Sequence, residues 1–233
     1  KNEFKLLIWY DNEWSYTSQL ISLINTIIKH EVNPYYIEKQ DYSNKEVVLR
    51  LDLNVPVTNN VVTSDYRIIS ALPTIKRILR DNPKRLIIMS HLGRPTGIDD
   101  SKSLKIVLPI LKKCLNIDIE FLSNGLTKNT LTQLKESANN VFLLENLRFH
   151  DEETRYNKME DPDNNEAISV IRSLGNHYVN DAFGCLHRDH LSINGLKIAE
   201  KSYGFLVNKE LNALNNVTNS RDKTLAIIGG GKI

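Results

Sequence analysis

Four short apolar runs, Val47-Val48-Leu49, Leu86-Ile87-Ile88-Met89, Val141-Phe142-Leu143-Leu144 and Leu225-Ala226-Ile227-Ile228, contain no polar alternation. A strand with one face in water alternates. A strand covered on both faces does not, and such strands occur where helices pack on either side of a parallel sheet. Weaker strand candidates lie at 117–122 and 177–179. Helical spacing separates them: Ile68, Leu72, Ile75 and Leu79 follow a cap at Ser64 or Asp65, and Leu104, Leu108, Leu111 and Leu115 repeat the pattern. Pro73 and Pro109 fall inside these two patterns, so each is expected to kink its helix or mark the true start. Further helices are expected at 166–174 and 205–217. The alternation predicts an α/β fold, a doubly wound, Rossmann-like parallel sheet with helices on both faces.

A chain of 233 residues, 41% of them apolar and 25% charged, can bury one sizeable core with room for a small extra segment. Thirty basic against 28 acidic residues leave a net charge of only +2, which argues against nucleic acid or a membrane surface as partner. Any basic site must be local. Cys114 and Cys185 form no CxxC pair, so neither a disulfide framework nor a thiolate zinc site is expected, and a reducing cytosol fits. No apolar run is long enough to span a membrane. The chain begins without Met and stops abruptly after Gly229-Gly230-Gly231-Lys232-Ile233, and is read as an excerpt. Residues 1–30 break the rhythm, with a strand-like run ending at Trp9 and then a helical pattern over 16–30. Residues 31–36, with Asn33-Pro34, read as a linker.

In an open parallel sheet, ligands bind outside the carboxyl ends of the strands. Just past those ends stand Asp52 and Asn54, then Ser90, His91 and Arg94, then Glu145, Asn146 and Arg148, then Asn180, Asp181, His187 and Arg188, and finally Lys232. One loop arginine is usually a solvated charge. Several gathered at one sheet edge repel each other, and a multiply charged anion is the simplest ligand that offsets the repulsion.

Arg50-Leu-Asp-Leu-Asn-Val-Pro56, Asp65-Tyr-Arg-Ile68, Ala71-Leu-Pro-Thr-Ile-Lys76, Ser90-His-Leu-Gly-Arg-Pro95, Leu144-Glu-Asn-Leu-Arg-Phe-His150 and Val179-Asn-Asp-Ala-Phe-Gly184 stand in a distinctive order. With His187-Arg188, Gly204-Phe-Leu206, Lys209-Glu-Leu211 and Ile228-Gly-Gly-Gly-Lys232, they resemble the N-terminal half of phosphoglycerate kinases. The resemblance implies that 37–233 form that family's substrate lobe, without its nucleotide-binding lobe. It implies reversible phosphoryl transfer between 1,3-bisphosphoglycerate and ADP in the cytoplasm, with Mg-ATP or Mg-ADP bound mainly by the other lobe and the kinase monomeric. Asp52 and Asn54 would meet the glycerate end. Arg67, His91, Arg94, Arg148 and Arg188 would surround carboxylate and phosphate. Arg67 and Lys232 would be catalytic, Lys232 on the nucleotide-phosphate side, with no metal held by the chain itself. Asp52 and His91 also admit a role in holding arginines rather than touching substrate. Gly231, Val207 and Asp189 depart from the family's usual alanine, methionine and small residue, and Asp189 would place negative charge near Arg188.

Ile8-Trp-Tyr-Asp-Asn-Glu-Trp14 followed by Tyr16 resembles instead the C-terminal end of glyceraldehyde-3-phosphate dehydrogenases, where the residue matching Asn12 meets the nicotinamide of NAD. That likeness implies a dehydrogenase–kinase fusion, or two neighbouring reading frames joined. If the natural chain ends near Ile233, a phosphoglycerate-binding module without catalysis is the alternative. His187-Arg-Asp-His190 with Asn194 mimics a protein-kinase catalytic loop, but the order is wrong and no glycine-rich loop precedes it. Cys185, His187 and His190 lack a fourth zinc ligand at suitable spacing.

Overall fold

The computed structural model describes residues 8–10, 35–218 and 227–229. Six parallel strands form the main sheet: β2 (Glu46–Arg50), β5 (Arg85–Met89), β6 (Glu120–Leu122), β7 (Val141–Leu144), β8 (His177–Asn180) and β9 (Glu200–Tyr203). Their order across the sheet is β6-β7-β5-β2-β8-β9. Renumbered along the chain this reads 3-4-2-1-5-6, whereas the dinucleotide-binding order is 3-2-1-4-5-6. The architecture is the expected one with a different strand order. A short antiparallel hairpin, β3 (Val57–Thr58) with β4 (Val61–Val62), precedes the first helix, and β1 (Ile8–Tyr10) pairs in parallel with β10 (Ile227–Gly229).

The missing alternation has a direct cause. Val47, Leu49, Leu86, Ile88, Val141 and Leu143 pack into one core with Ile68 and Ile75 of α1 (Tyr66–Arg80) and Leu111 of α2 (Leu108–Leu115). The residues between them, Val48, Ile87, Met89, Phe142 and Leu144, pack into a second core with Leu134 of α3 (Lys128–Glu136) and Ile168 and Ile171 of α5 (Glu166–Arg172). Both sheet faces are therefore apolar, and their burial is the main favourable term for this fold. Two one-turn helices, α4 (Glu152–Arg155) and α6 (Leu191–Asn194), cover loops at the carboxyl edge, and α7 (Phe205–Thr218) follows β9.

The prolines behave differently from each other. Pro109 stands in the first turn of α2, where its missing N–H costs nothing. Pro73 lies inside α1, which continues through it, because Pro73 is exposed and water can reach the Ile69 carbonyl that it leaves without a donor. Asp65 occupies the N-cap position of α1, but its side chain makes no capping bond. The helix expected at 16–30, Asn12 and Lys232 lie outside the described residues. No described helix is long and apolar enough to cross a membrane.

Candidate functional site

The order of the sheet puts its switch point between β2 and β8, whose residues pair from Val47↔His177 to Arg50↔Asn180. Chain leaving β2 turns one way to β5, and β8 arrives from the other half, so a crevice opens at their carboxyl ends. Leu51 to Asn54 enter it from β2. Asn54 N donates to Asp52 Oδ1 at 3.2 Å, a local turn that orients the carboxylate. Asp52 Oδ2 then accepts from Arg67 Nη1 at the start of α1. The Arg67 side chain is 47% exposed, so it is tethered at one corner and open on the rest.

Beyond β5 comes His91, buried, then Leu92 and Gly93. Gly93 has φ +65°, a left-handed conformation that L side chains seldom adopt, and its N–H donates to Asn54 Oδ1 at 2.8 Å. Asn146, after β7, clamps the same loop: Leu92 N donates to its Oδ1 at 3.2 Å, and its Nδ2 donates to the carbonyls of Leu92 and Lys102, both at 2.8 Å. Glu145 accepts from Leu104 N at 2.9 Å and from Ser103 Oγ at 2.7 Å, closing the far end. Arg148 Nη1 donates to the Gly93 carbonyl at 2.6 Å. Arg94, next along, is exposed and takes no part in these bonds.

Three guanidinium groups and an imidazole meet inside this frame. His91 is held far below the ordinary imidazole value by burial first, and then by Arg50, Arg148, His190 and Arg188. Burial lowers Arg148 as well, and Arg188 adds to it. Burial pushes the Cys185 thiol up, against the pull of Arg50, and Asp52, Arg148 and Arg188 also act on it. Arg148 Nε is buried and makes no hydrogen bond, which leaves a charged donor open. Such a gathering costs free energy in the empty protein.

The structure thus brings His91, Arg148 and Arg188 together, places Asp52 against Arg67, and ties Asn54 into the loop that carries Arg94. Glu145 and Asn146 are scaffold. Asp181 is scaffold too, because its carboxylate accepts from Val207 N at 3.0 Å in the first turn of α7 and from Thr74 Oγ1 of α1 at 2.5 Å. Asp189 Oδ1 accepts from Asn194 Nδ2 at 2.8 Å. Arg50, Glu153 and Ser192 belong to the site without having been singled out. Arg50 headed a recognised motif, yet as the last residue of a strand it reads as structural. Glu153 sits in the run Asp151-Glu152-Glu153, which reads as a solvated turn. Among the described residues, no three His, Cys, Asp or Glu side chains gather as metal ligands.

At the opposite, amino edge, Ser202 Oγ, His177 and Glu200 line up, with Ser202 Oγ 2.9 Å from His177 Nε2 and His177 Nδ1 3.1 Å from Glu200 Oε2. The order suggests a hydrolytic triad. Ser202 is buried in β9, however, and its Oγ is also bonded to Tyr42 OH at 2.8 Å, so no substrate carbonyl can reach it. The trio joins β8 to β9.

A family model described as phosphoglycerate kinase matches residues 37–233. Phosphoglycerate kinase 1 of Homo sapiens is 40% identical over 213 residues, which cover 86% of this chain and 51% of that protein. Phosphoglycerate kinase 2 of Mus musculus is 40% identical over 209 residues, 84% of this chain and 50% of that protein. The phosphoglycerate kinase structure from Pyrococcus horikoshii OT3 superposes with a TM-score of 0.69 at 28% identity, covering 81% of this chain and 47% of that one. The structure from Coxiella burnetii gives 0.64 at 31% identity, covering 77% and 44%. The chain spans about half the length of the curated relatives it matches. A parallel sheet of this order, a cationic crevice at its switch point and a family match over most of the sequence lead to one statement: the chain belongs to the phosphoglycerate kinase family.

Proposed function

We propose that the crevice binds 3-phosphoglycerate and 1,3-bisphosphoglycerate, and that the chain supplies the acyl-phosphate side of reversible phosphoryl transfer to ADP. The observation that carries this reading is the gathering of Arg50, Arg148, Arg188 and His91, with Arg148 Nε buried and lacking a hydrogen-bond partner. An anion with a carboxylate at one end and a phosphate at the other offers two charged groups to such a gathering of guanidinium donors. Arg148, Arg188 and Arg94 hold its oxygens, His91 donates a hydrogen bond, and Asp52 and Asn54 set the glycerate end. Each charge-assisted contact contributes roughly 1.5–3 kcal/mol.

Arg67 has a separate task. Tethered by Asp52 and open to solvent, it can turn its fork toward the transferring phosphoryl group, whose charge spreads over three oxygens in a loose transition state. Lys232 is assigned to the same group from the nucleotide side. Magnesium nucleotide is a substrate here, carried by a second lobe that closes over the crevice and excludes water. The likeness of residues 1–30 to a dehydrogenase tail supports a natural fusion, in which the dehydrogenase makes the acyl phosphate that the kinase uses. One polypeptide carrying both activities on a denaturing gel is the expected finding, and two separate products would overturn it.

The test of the main reading is calorimetric titration of this chain with 3-phosphoglycerate at 50 and 200 mM salt, alongside Arg148→Ala. Binding that weakens with salt and in the variant is expected, since the screening length falls from about 14 Å at 50 mM to about 7 Å at 200 mM. A cooperatively folded chain that binds nothing overturns the reading of the crevice as a site complete in this lobe. Measurable binding with no phosphoryl transfer in any longer form of the protein would favour a binding module.

A further inference from the structure

Behind the cationic crevice lies a buried charge that touches none of the residues assigned to substrate. Glu153, on α4, is fully buried. Its Oε1 accepts from Ser192 Oγ at 2.7 Å, and its Oε2 accepts from the backbone N–H of Ser192 at 2.9 Å. His190 Nδ1 stands 3.5 Å from the same Oε1. Burial alone would raise this carboxyl, but His190, Arg50 and Ser192 together hold it below the ordinary range, so it is an anion.

Ser192 has one hydroxyl proton and gives it to Glu153. Its oxygen is left as an acceptor, and Arg50 Nε donates to it at 3.0 Å. Tyr178 OH donates to the Ser192 carbonyl at 2.8 Å, so N–H, O–H, hydroxyl oxygen and carbonyl of this serine are all used. The Arg50 guanidinium is fixed in turn. Its Nη1 donates to the Leu51 carbonyl and lies 3.4 Å from Ser90 Oγ, and its Nη2 lies 3.1 Å from His91 Nδ1.

The last contact settles a proton. A guanidinium can only donate, so His91 Nδ1 is the acceptor, and a neutral ring then carries its proton on Nε2. We propose that Glu153 is a positioning residue which, through Ser192 and Arg50, fixes His91 in the Nε2–H tautomer, so that the imidazole meets a bound anion as a neutral hydrogen-bond donor. A charge fully buried and one hydroxyl away from a fully buried arginine is costly to keep as mere scaffold, because an apolar pair of similar size is often as stable. Orientation is what the pair supplies that an apolar pair would not. The affinity arm of the test below rests on the reading of the crevice as an anion site. The tautomer arm does not.

The experiment is a long-range 1H–15N correlation on this chain with labelled histidine at pH 7, with His91 assigned through His91→Gln. The wild type is expected to show a protonated Nε2 and an unprotonated Nδ1 at His91. Ser192→Ala keeps the backbone bond to Glu153 but removes the relay, and is expected to bring the ring into exchange between tautomers. It should also weaken 3-phosphoglycerate binding by about 5- to 10-fold. Ser192→Thr returns the hydroxyl and should restore both readouts, which a loss of packing alone would not predict. An Nδ1–H or doubly protonated His91 in the wild type overturns the proposal whether or not the variants fold. So does a folded Ser192→Ala chain with the wild-type His91 pattern. A wild type that shows the expected tautomer, lost in Ser192→Ala, yet binds no anion supports the positioning role and overturns the ligand reading instead.

Discussion

Arg148 Nη1 reaches across 2.6 Å to the backbone carbonyl of Gly93, so a side chain from the β7 loop holds the β5 loop that presents Arg94. The same guanidinium keeps its Nε buried and without a hydrogen-bond partner. Arg148→Ala should therefore remove an anion contact and loosen a loop in one step, raising the Kd for 3-phosphoglycerate by about 10- to 150-fold. Arg148→Lys keeps the charge and loses the fork, and should recover only part of the affinity in calorimetry. Full recovery by lysine would show that charge alone matters there.

Asp52 restrains Arg67 at one corner without burying it. In a longer form of the protein that performs the proposed transfer, Arg67→Ala is expected to lower kcat by about 100-fold or more while changing KM for 3-phosphoglycerate only severalfold. Equal losses in the two constants would reassign Arg67 to ground-state binding.

Asp181 titrates in a useful window. Burial pushes its carboxyl up to about 6, against hydrogen bonds from Thr74, Val207 and Leu206. A folded-state value above the unfolded one means that the native state holds the proton more tightly, so stability falls as pH rises from about 4 through 6. The size is on the order of 3 kcal/mol for a shift of about two units. Asp181→Asn keeps an acceptor for Val207 N and removes the titration. Its urea midpoint relative to wild type should rise between pH 4.5 and pH 7.5. A pH-independent difference would mean that the carboxylate is well solvated or well paired.

A side chain at Gly204 has nowhere to go. A Cβ there would stand 2.3 Å from Asp181 Cγ and 2.5 Å from its Oδ1. Gly204→Ala should cost about 1–3 kcal/mol in chemical denaturation, as overpacking does. The cost should shrink in an Asp181→Ala background, and equal costs in the two backgrounds would place the strain elsewhere.

The parts of the fold that could be read in advance share one property. β2, β5, β7 and β8 are buried on every residue or nearly so, and their composition shows it. β9, Glu200-Lys-Ser-Tyr203, is an edge strand with only Ser202 buried, and nothing in its composition announces a strand. α3 is faint in the sequence for a similar reason, since Thr130 and Leu134 are its only buried residues. At the site, the loop positions of His91, Arg148 and Arg188 followed from where apolar runs stop. The partners that orient them did not. Ser192 is 142 residues from Arg50 and 39 from Glu153, and a hydrogen-bonded chain assembled over such separations leaves no local spacing to detect.

The strand order also has a consequence for how the protein comes to exist. The central strand β2 keeps one edge bare until β8 is made, because Val47 pairs with His177. During synthesis at about 5–20 residues per second, that edge waits many seconds for its partner, exposed to any other strand in reach. The crevice forms only when that gap closes. An anion that prefers the closed crevice would therefore draw the nascent sheet toward its native pairing, and the ligand would act as a late folding aid before it ever served as a substrate.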